Sequence, residues 1–291
     1  MPDYLTTREI AKLLRVKERQ VYDLAAKGQL PVRKVTGKLL FPRLEIEAQL
    51  NAGAVEAPAP SPAPTRPLVF AGGHDPLLEW ALRESRSGIA AFLDGALDGL
   101  DRAAAGECIA AGLHIPEGDG WNVATVAQRF GREPWVLIAW ARRTRGLIIG
   151  RDVPRRPASL REARGLRFQP RQAEAGSEKV LELLLARENM RRDDLHLVER
   201  AERSETDLAL AISEGRAEVG LGIAAAARQY NLDFVALIEE RFDLLVWRKA
   251  YFDPPFQKFA KLCGSDDFRQ RAQALGGYDV SEFGAVRFNG P

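Results

Sequence analysis

Residues 213–245 read Ser-Glu-Gly-Arg-Ala-Glu-Val-Gly-Leu-Gly-Ile-Ala-Ala-Ala-Ala-Arg-Gln-Tyr-Asn-Leu-Asp-Phe-Val-Ala-Leu-Ile-Glu-Glu-Arg-Phe-Asp-Leu-Leu. The apolar run 218–222 predicts a buried strand, the alanine-rich 222–230 a helix, and the apolar runs 234–237 and 243–247 two more strands. The same alternation extends outward to Leu68. Further strand candidates are 68–71, 89–92, 109–112, 135–139, 147–149, 166–169 and 195–198. Helix candidates include 76–86, 97–105, 122–130, 159–164, 177–188, 206–214, 254–263 and 267–274. Alternating strands and helices predict an α/β body with doubly wound parallel sheets, as one large sheet or two lobes.

The chain has 291 residues, enough for two or three domains, with 46% hydrophobic and 28% charged residues. That balance excludes wholesale disorder. Mean hydropathy is −0.23, and no run of eighteen apolar residues suggests a membrane span. The opening Met-Pro-Asp-Tyr-Leu-Thr-Thr-Arg-Glu lacks the basic and apolar segments of a secretory signal, so the cytoplasm is the expected compartment. Two distant cysteines, Cys108 and Cys263, and three histidines predict neither a disulfide framework nor a metal site.

Residues 51–67 hold five prolines among seventeen positions. They predict an extended spacer that buries no core. Before it, residues 1–50 carry ten Lys and Arg against six Asp and Glu, a charge of +4, leaving −2 on the rest of the chain. A basic head on a weakly acidic body points to a polyanion partner for the head alone.

The head has its own pattern. Thr6-x-x-Glu9 is a capping box, and Ile10, Leu13 and Leu14 give the following helix an apolar face. Arg15-Val16 marks a break. A second helix runs from about Lys17 to Lys27, with Val21, Leu24 and Ala25 inward and Gly28 as its stop. Val32–Val35 and Leu39–Phe41 flank Thr36-Gly37-Lys38, a hairpin wing, and Pro42 opens a third helix, 43–50. Two short helices with a tight turn make a helix-turn-helix. Including Val-Tyr-x-Leu at 21–24 and Gly-x-Leu-Pro at 28–31, this segment resembles excisionase and MerR-type DNA-binding domains. Lys17 departs from it, standing where that family has a Ser cap. In this reading Arg19 and Gln20 face base edges. Lys17, Arg33, Lys34, Lys38 and Arg43 contact phosphate, and Tyr22 serves either role or packs.

The body carries a second resemblance. Ala-Gly-Gly-His-Asp-Pro-Leu-Leu at 71–78, Gly-Leu-Ile-Ile at 146–149, Arg-Phe-Gln-Pro-Arg-Gln at 167–172 and the 213–245 stretch are similar to the periplasmic-binding-protein-like domain of molybdate- and tungstate-binding proteins. The resemblance implies two lobes joined by crossover strands: lobe I over about 68–148 and 240–291, lobe II over about 149–239. A ligand then sits in the cleft and the lobes close by a hinge. It also implies ligand contacts from Gly73, His74 and Asp75, from Ala96, from Arg171 and Gln172, from Gly176 and Ser177, and from Ser204, Glu205 and Thr206. The family's hydroxyl positions hold Gly73, Ala96 and Ala175 here. Carboxylates at Asp75, Asp94, Glu174, Glu178 and Glu205 line the expected ligand loops, which disfavours a small dianion. Asp75 before Pro76 also reads as a helix N-cap. His114 and His196 read as packing residues. Trp80 and Trp121 are ring-stacking or core positions, and the cluster Arg142, Arg143 and Arg145 would face solvent or a partner.

The sequence thus predicts an α/β protein with a winged helix-turn-helix at 1–50, a Pro/Ala-rich linker at 51–67 and a two-lobed periplasmic-binding-protein-like domain at 68–291. Its expected function is ligand-responsive transcription regulation. The expected partners are a double-stranded DNA operator, a small-molecule or oxyanion effector and a second copy of the chain as homodimer or homotetramer. No cofactor, metal or membrane is expected. Gly-x-Ser-x-Gly, P-loop and His-Glu-x-x-His motifs are absent, so no enzymatic activity is expected. The alternative is a carrier in molybdenum-type cofactor metabolism without operator binding. A phage-type excisionase would leave the body unexplained.

Overall fold

The computed structural model describes residues 3–35, 37–52 and 66–291. Most of the predicted spacer, 53–65, and Thr36 of the wing turn lie outside the described residues. The chain divides into two units, Met1–Thr65 and Arg66–Pro291.

The first unit runs β1 (Tyr4–Thr6), α1 (Thr7–Leu13), α2 (Glu18–Ala26), β2 (Arg33–Val35), β3 (Lys38–Pro42) and α3 (Arg43–Ala52). The capping box is formed. The Glu9 N–H donates to Thr6 Oγ1 at 3.4 Å and the Thr6 N–H to Glu9 Oε2 at 2.8 Å. Arg15 takes a positive φ of 54° between the two helices, which ends the first of them. Lys17 contributes no side-chain cap to α2. Instead Gln20 Oε1 accepts from the Lys17 N–H at 3.1 Å. The strands pair antiparallel in the order β1-β3-β2, so the wing hairpin gains a third strand from the N-terminus. Pro42 closes β3 opposite Tyr4 and does not begin α3. Leu5, Ile10, Val21, Phe41 and Ile46 form one small core.

The second unit begins with β4 (Val69–Gly72), α4 (Pro76–Glu84), β5 (Ala90–Phe92), α5 (Ala96–Ala105) and β6 (Ala110–Leu113). After a small hairpin, β7 (Pro116–Glu117) and β8 (Gly120–Trp121), come α6 (Val123–Phe130) and the long β9 (Trp135–Ile149). Then follow β10 (Arg167–Gln169), α7 (Gly176–Arg187), β11 (His196–Leu197), α8 (Glu205–Ser213), β12 (Val219–Ile223), α9 (Ala224–Gln229) and the long β13 (Asp233–Trp247). The chain ends with α10 (Arg248–Tyr251), α11 (Pro254–Cys263), α12 (Asp266–Leu275), β14 (Tyr278–Asp279) and β15 (Val286–Asn289). No helix forms over 159–164, where the chain turns.

The main sheet has the order β11-β10-β12-β9-β13-β6-β4-β5, with β14 and β15 also on β9. Its flanks are parallel, but β9 pairs antiparallel with β12 and β13, and β13 with β6. This corrects the expectation of parallel sheets throughout. Strands β9 and β13 are each fifteen residues long and run side by side through both lobes. Each had read as two strands, because the polar stretches Arg142–Arg145 and Glu239–Arg241 interrupt the apolar run by which a buried strand is recognised. In the first lobe Phe70, Leu78, Trp140, Phe242, Phe259 and Phe268 pack together. In the second, Leu147, Phe168, Leu184, Leu195 and Val219 do so. The fold is therefore a winged helix-turn-helix followed by a two-lobed α/β domain threaded by two shared strands.

Gly146 of β9 lies opposite Ala236 of β13. A Cβ there would sit 1.9 Å from the Val235 carbonyl oxygen, beside a register shift between Ala236 and Ile238. Gly146→Ala is expected to destabilise the domain by about 1–3 kcal/mol through overpacking of backbone that cannot yield. Gly264→Ala, whose added methyl would find its nearest neighbour 3.7 Å away, should cost much less. Urea denaturation of the two variants checks the difference.

Candidate functional site

The ends of the two lobes meet where the centres of β9 and β13 cross between them. Side chains two apart on a strand share a face, and Arg143 and Arg145 both point into this junction. Glu240 is the cross-strand partner of Arg143. It accepts from Arg143 Nε at 2.8 Å and from Arg145 Nε at 2.8 Å. From the first lobe comes Asp75, N-cap of α4. Its Oδ1 accepts from the Leu78 N–H at 2.7 Å, and its Oδ2 from Arg143 Nη1 at 2.8 Å and Tyr278 Oη at 2.7 Å. From the second lobe comes Glu205, the first residue of α8. It accepts from Arg145 Nη2 at 2.7 Å and faces Arg171 Nη1 at 3.1 Å. Three carboxylates and three guanidiniums thus alternate as Asp75, Arg143, Glu240, Arg145, Glu205, Arg171, all at most 5% exposed.

The charge states follow from this alternation. Burial pushes the Glu205 carboxyl up, but Arg145 and Arg171 pull it further the other way, to about 2. Glu240 is held well below the ordinary carboxylate range by Arg143 and Arg145 against the same burial penalty. Burial lowers His114, only partly offset by Glu240, so its imidazole is neutral. Tyr278 is pushed up by burial and by Asp75 beside it, so its hydroxyl stays a donor.

The remaining predicted contacts gather around this chain of charges. His74 Nδ1 accepts from the Glu205 N–H at 3.2 Å, and its Nε2 lies 3.4 Å from Glu79 Oε2 and 3.5 Å from Thr206 Oγ1. Ser204 caps α8 by accepting from the Asp207 N–H at 2.8 Å. Arg171 donates to the Glu202 and Arg203 carbonyls at 2.9 and 2.8 Å. Gln172 donates to the carbonyls of Asp94 in the other lobe and of Arg203, at 2.7 and 3.1 Å. Gly73 and Gly176 flank His114: a Cβ on either would come within 3.0 Å of its ring. Ser177 is buried beside Gly176 at the start of α7. Ala96 turns its methyl into the core with Leu100 and Leu245.

Several residues of this site escaped the sequence reading. His114, read as packing, fills the space between the two glycine loops, its ring stacked on Phe242 at 5.6 Å. Arg143 and Arg145 are fully buried, which corrects their assignment to a solvent or partner face; only Arg142 remains exposed, paired with Glu282 at 3.1 Å. Glu240 and Tyr278 carried no signal of their own. The spacing of two between Arg143 and Arg145 was the available clue.

In the head, Lys17, Arg19, Gln20, Tyr22, Arg33, Lys34 and Lys38 are exposed and Arg43 is partly so. Gln20 spends its carbonyl on the Lys17 N–H, leaving its amide nitrogen as the group for a base edge. Arg33 pairs with Glu45 at 3.2 Å, and Arg43 with Asp3 at 2.6 Å and Glu47 at 3.7 Å. Among the described residues no carboxylate lies within ion-pair distance of Lys17, Arg19, Lys34 or Lys38. No described helix is long and apolar enough to cross a membrane, and the described residues hold no metal-binding cluster of histidine, cysteine or carboxylates.

Two family models match this architecture. Residues 79–264 match the PBP superfamily domain and residues 4–54 a helix-turn-helix domain. The chain belongs to the PBP superfamily domain family and carries an N-terminal helix-turn-helix. It is 24% identical to the uncharacterized protein YvgK of Bacillus subtilis (strain 168), over 97% of this chain and 96% of that one. Among solved structures it is similar to a Clostridium perfringens protein with bound phosphate, assigned by similarity as a phosphate ABC transporter substrate-binding protein (TM-score 0.56, 8% identity, 73% of this chain and 98% of that one). It is also similar to a cysteine-to-serine mutant of OxyR from Corynebacterium glutamicum bound to hydrogen peroxide (TM-score 0.50, 14% identity, 93% and 89% of the chains). At these identities the likeness is one of fold.

The buried charges make acid sensitivity predictable. The folded-state pKa of Glu205, about 2, lies below its ordinary 4.5. Its contribution to stability is therefore complete above 4.5 and is lost as pH falls through about 2. Denaturation free energies measured down this window should fall steeply, and Glu205→Gln should remove part of the slope. An unchanged slope would mean Glu205 is not ionised in the folded state.

Proposed function

We propose that this protein is a ligand-responsive transcriptional regulator of the cytoplasm, without catalytic activity. The head binds an operator and the two-lobed body senses a small metabolite. The observation that carries this reading is the fusion in one chain of an exposed basic helix-turn-helix face with a two-lobed binding fold whose cleft gathers convergent polar side chains. Arg19 and Tyr22 project from α2, the element that enters the major groove in this motif, while Lys34 and Lys38 of the wing face phosphate. A single head of this size offers a small contact surface, so operator recognition uses a homodimer or homotetramer. The OxyR and phosphate-bound relatives support the class of effector-binding fold, while the effector belongs to this chain's own cleft. That cleft is already charge-balanced, which counts against a molybdate- or tungstate-like dianion and favours another small metabolite.

The test is an operator mobility-shift series with the full chain. Arg19→Ala is expected to cost about 1–3 kcal/mol at the cognate site and to relax its sequence preference. Lys38→Ala should weaken all DNA equally and reduce the salt slope by about 1. Absence of DNA affinity at low salt would replace this reading with that of a carrier protein.

A further inference from the structure

Two guanidiniums converging at the N-terminus of a nine-residue helix, inside a cleft between two lobes, are a donor set for an anion. Here the anion is a side chain. Glu205 presents its carboxylate to Arg145 and Arg171 while its N–H reaches across the cleft to His74. Buried polar groups without hydrogen bonds also lie on the elements that meet at this junction. Ser177 Oγ is buried without a hydrogen-bond partner. Arg171 Nη1 and His114 Nδ1 lie 3.1 and 3.4 Å from the Glu205 and Glu240 carboxylates, yet neither contact has the geometry of a hydrogen bond. The three residues are 2%, 5% and 2% exposed. The lobes are also in contact. Arg203 pairs with Asp94, Gln172 donates to the Asp94 carbonyl at 2.7 Å, and the Leu97 N–H donates to the Glu174 carbonyl at 3.1 Å.

We propose that Glu205 is an internal ligand. Its carboxylate occupies the anion position of the cleft, holds the lobes closed without effector and excludes small oxyanions, so that the effector is a molecule without net negative charge. The inference rests on the cleft being the sensing site and is independent of the reading of the head. Removing the side chain beyond Cβ vacates this position and leaves the junction with one uncompensated guanidinium. Arg171 Nη1, which has no hydrogen-bond acceptor, then faces the vacated position. Two further buried carboxylates beside Arg171 are committed elsewhere: Glu178 to the Arg171 N–H at 2.9 Å and to Arg192, and Glu202 to Arg216 at 2.5 Å.

The experiment titrates sulfate and molybdate into the full-length wild type and Glu205→Ala by calorimetry, with thermal melting as a second readout. Saturable binding in Glu205→Ala at least about tenfold tighter than in wild type, and abolished by adding Arg171→Met, is the expected result. A saturable rise in Tm should accompany it. Wild type binding either anion as tightly as the variant overturns the proposal while leaving the cleft as a sensing site. A folded Glu205→Ala that binds neither anion also overturns it. A second protein guards against a variant that fails to fold: Asp94→Cys with Arg203→Cys, treated with a short bismaleimide. Both native cysteines are buried, burial pushing the Cys108 thiol up to about 11 and Cys263 up as well, so labelling is confined to the new pair. Efficient cross-linking of the effector-free protein is expected. Its absence overturns the closed, self-liganded state.

Discussion

The body of this protein is organised around a buried line of alternating charge: Asp75, Arg143, Glu240, Arg145, Glu205, Arg171. Burying any one of these groups alone would cost several kcal/mol. Each carboxylate except the first lies between two guanidiniums, and Asp75 adds the Tyr278 hydroxyl and its own helix N-terminus to its one arginine. No member can be withdrawn without leaving a neighbour uncompensated. The line begins in one lobe and ends in the other, so the lobes share a single electrostatic unit in addition to a sheet. Replacing the whole line by apolar residues of similar volume could preserve packing, but not the dependence of each lobe on the other.

That unit needs a rigid floor, which β9 and β13 supply. Fifteen residues on each strand place apolar ends in two separate cores and polar centres at the junction. Arg143 faces Glu240 directly across the strand pair, and the guanidinium also lies over the Phe242 ring at 4.4 Å. Gly146 lets the two backbones approach where the register shifts. Strand geometry fixes the central three members of the line that lie on β9 and β13, and helix N-termini fix Asp75 and Glu205. Outside that floor the lobes also touch through loops, Asp94 pairing with Arg203.

Much of this was legible in the sequence, but unevenly. The head was readable because its determinants are local: a capping box at Thr6 and Glu9, helix faces at spacing three and four, a glycine after α2. Most of the body's helices and flanking strands were readable for the same reason, 159–164 being the exception where a predicted helix is a turn, and Asp75-Pro76 announced its helix start. The charged line was not, because the pairs from Asp75 to Glu205 are separated by 60 to 97 positions in sequence. Arg143 and Arg145 look like surface residues until Glu240 is known to face them. The polar centres that build the site are also what hid the two long strands. His114 was unreadable in another way: its position depends on Gly73 and Gly176, which come from different lobes.

The two halves of the chain therefore use the same residue type in opposite ways. In the head, arginine and lysine stand in water without described counterions at Lys17, Arg19, Lys34 and Lys38, so their field is available to a polyanion. At the junction of the body, Arg143, Arg145 and Arg171 are neutralised within the fold, and their charges tie the lobes together. A ligand that acts on such a body can shift its equilibrium only by the difference in its affinity for the closed and open arrangements. Because the closed arrangement already satisfies its charges, a ligand competing for Arg171 must offset the loss of Glu205 before any preference appears. A ligand that instead meets the unpartnered Ser177 hydroxyl and the His114 ring gains hydrogen bonds without that cost. The internal carboxylate thus sets both the resting state of the domain and the chemistry able to change it.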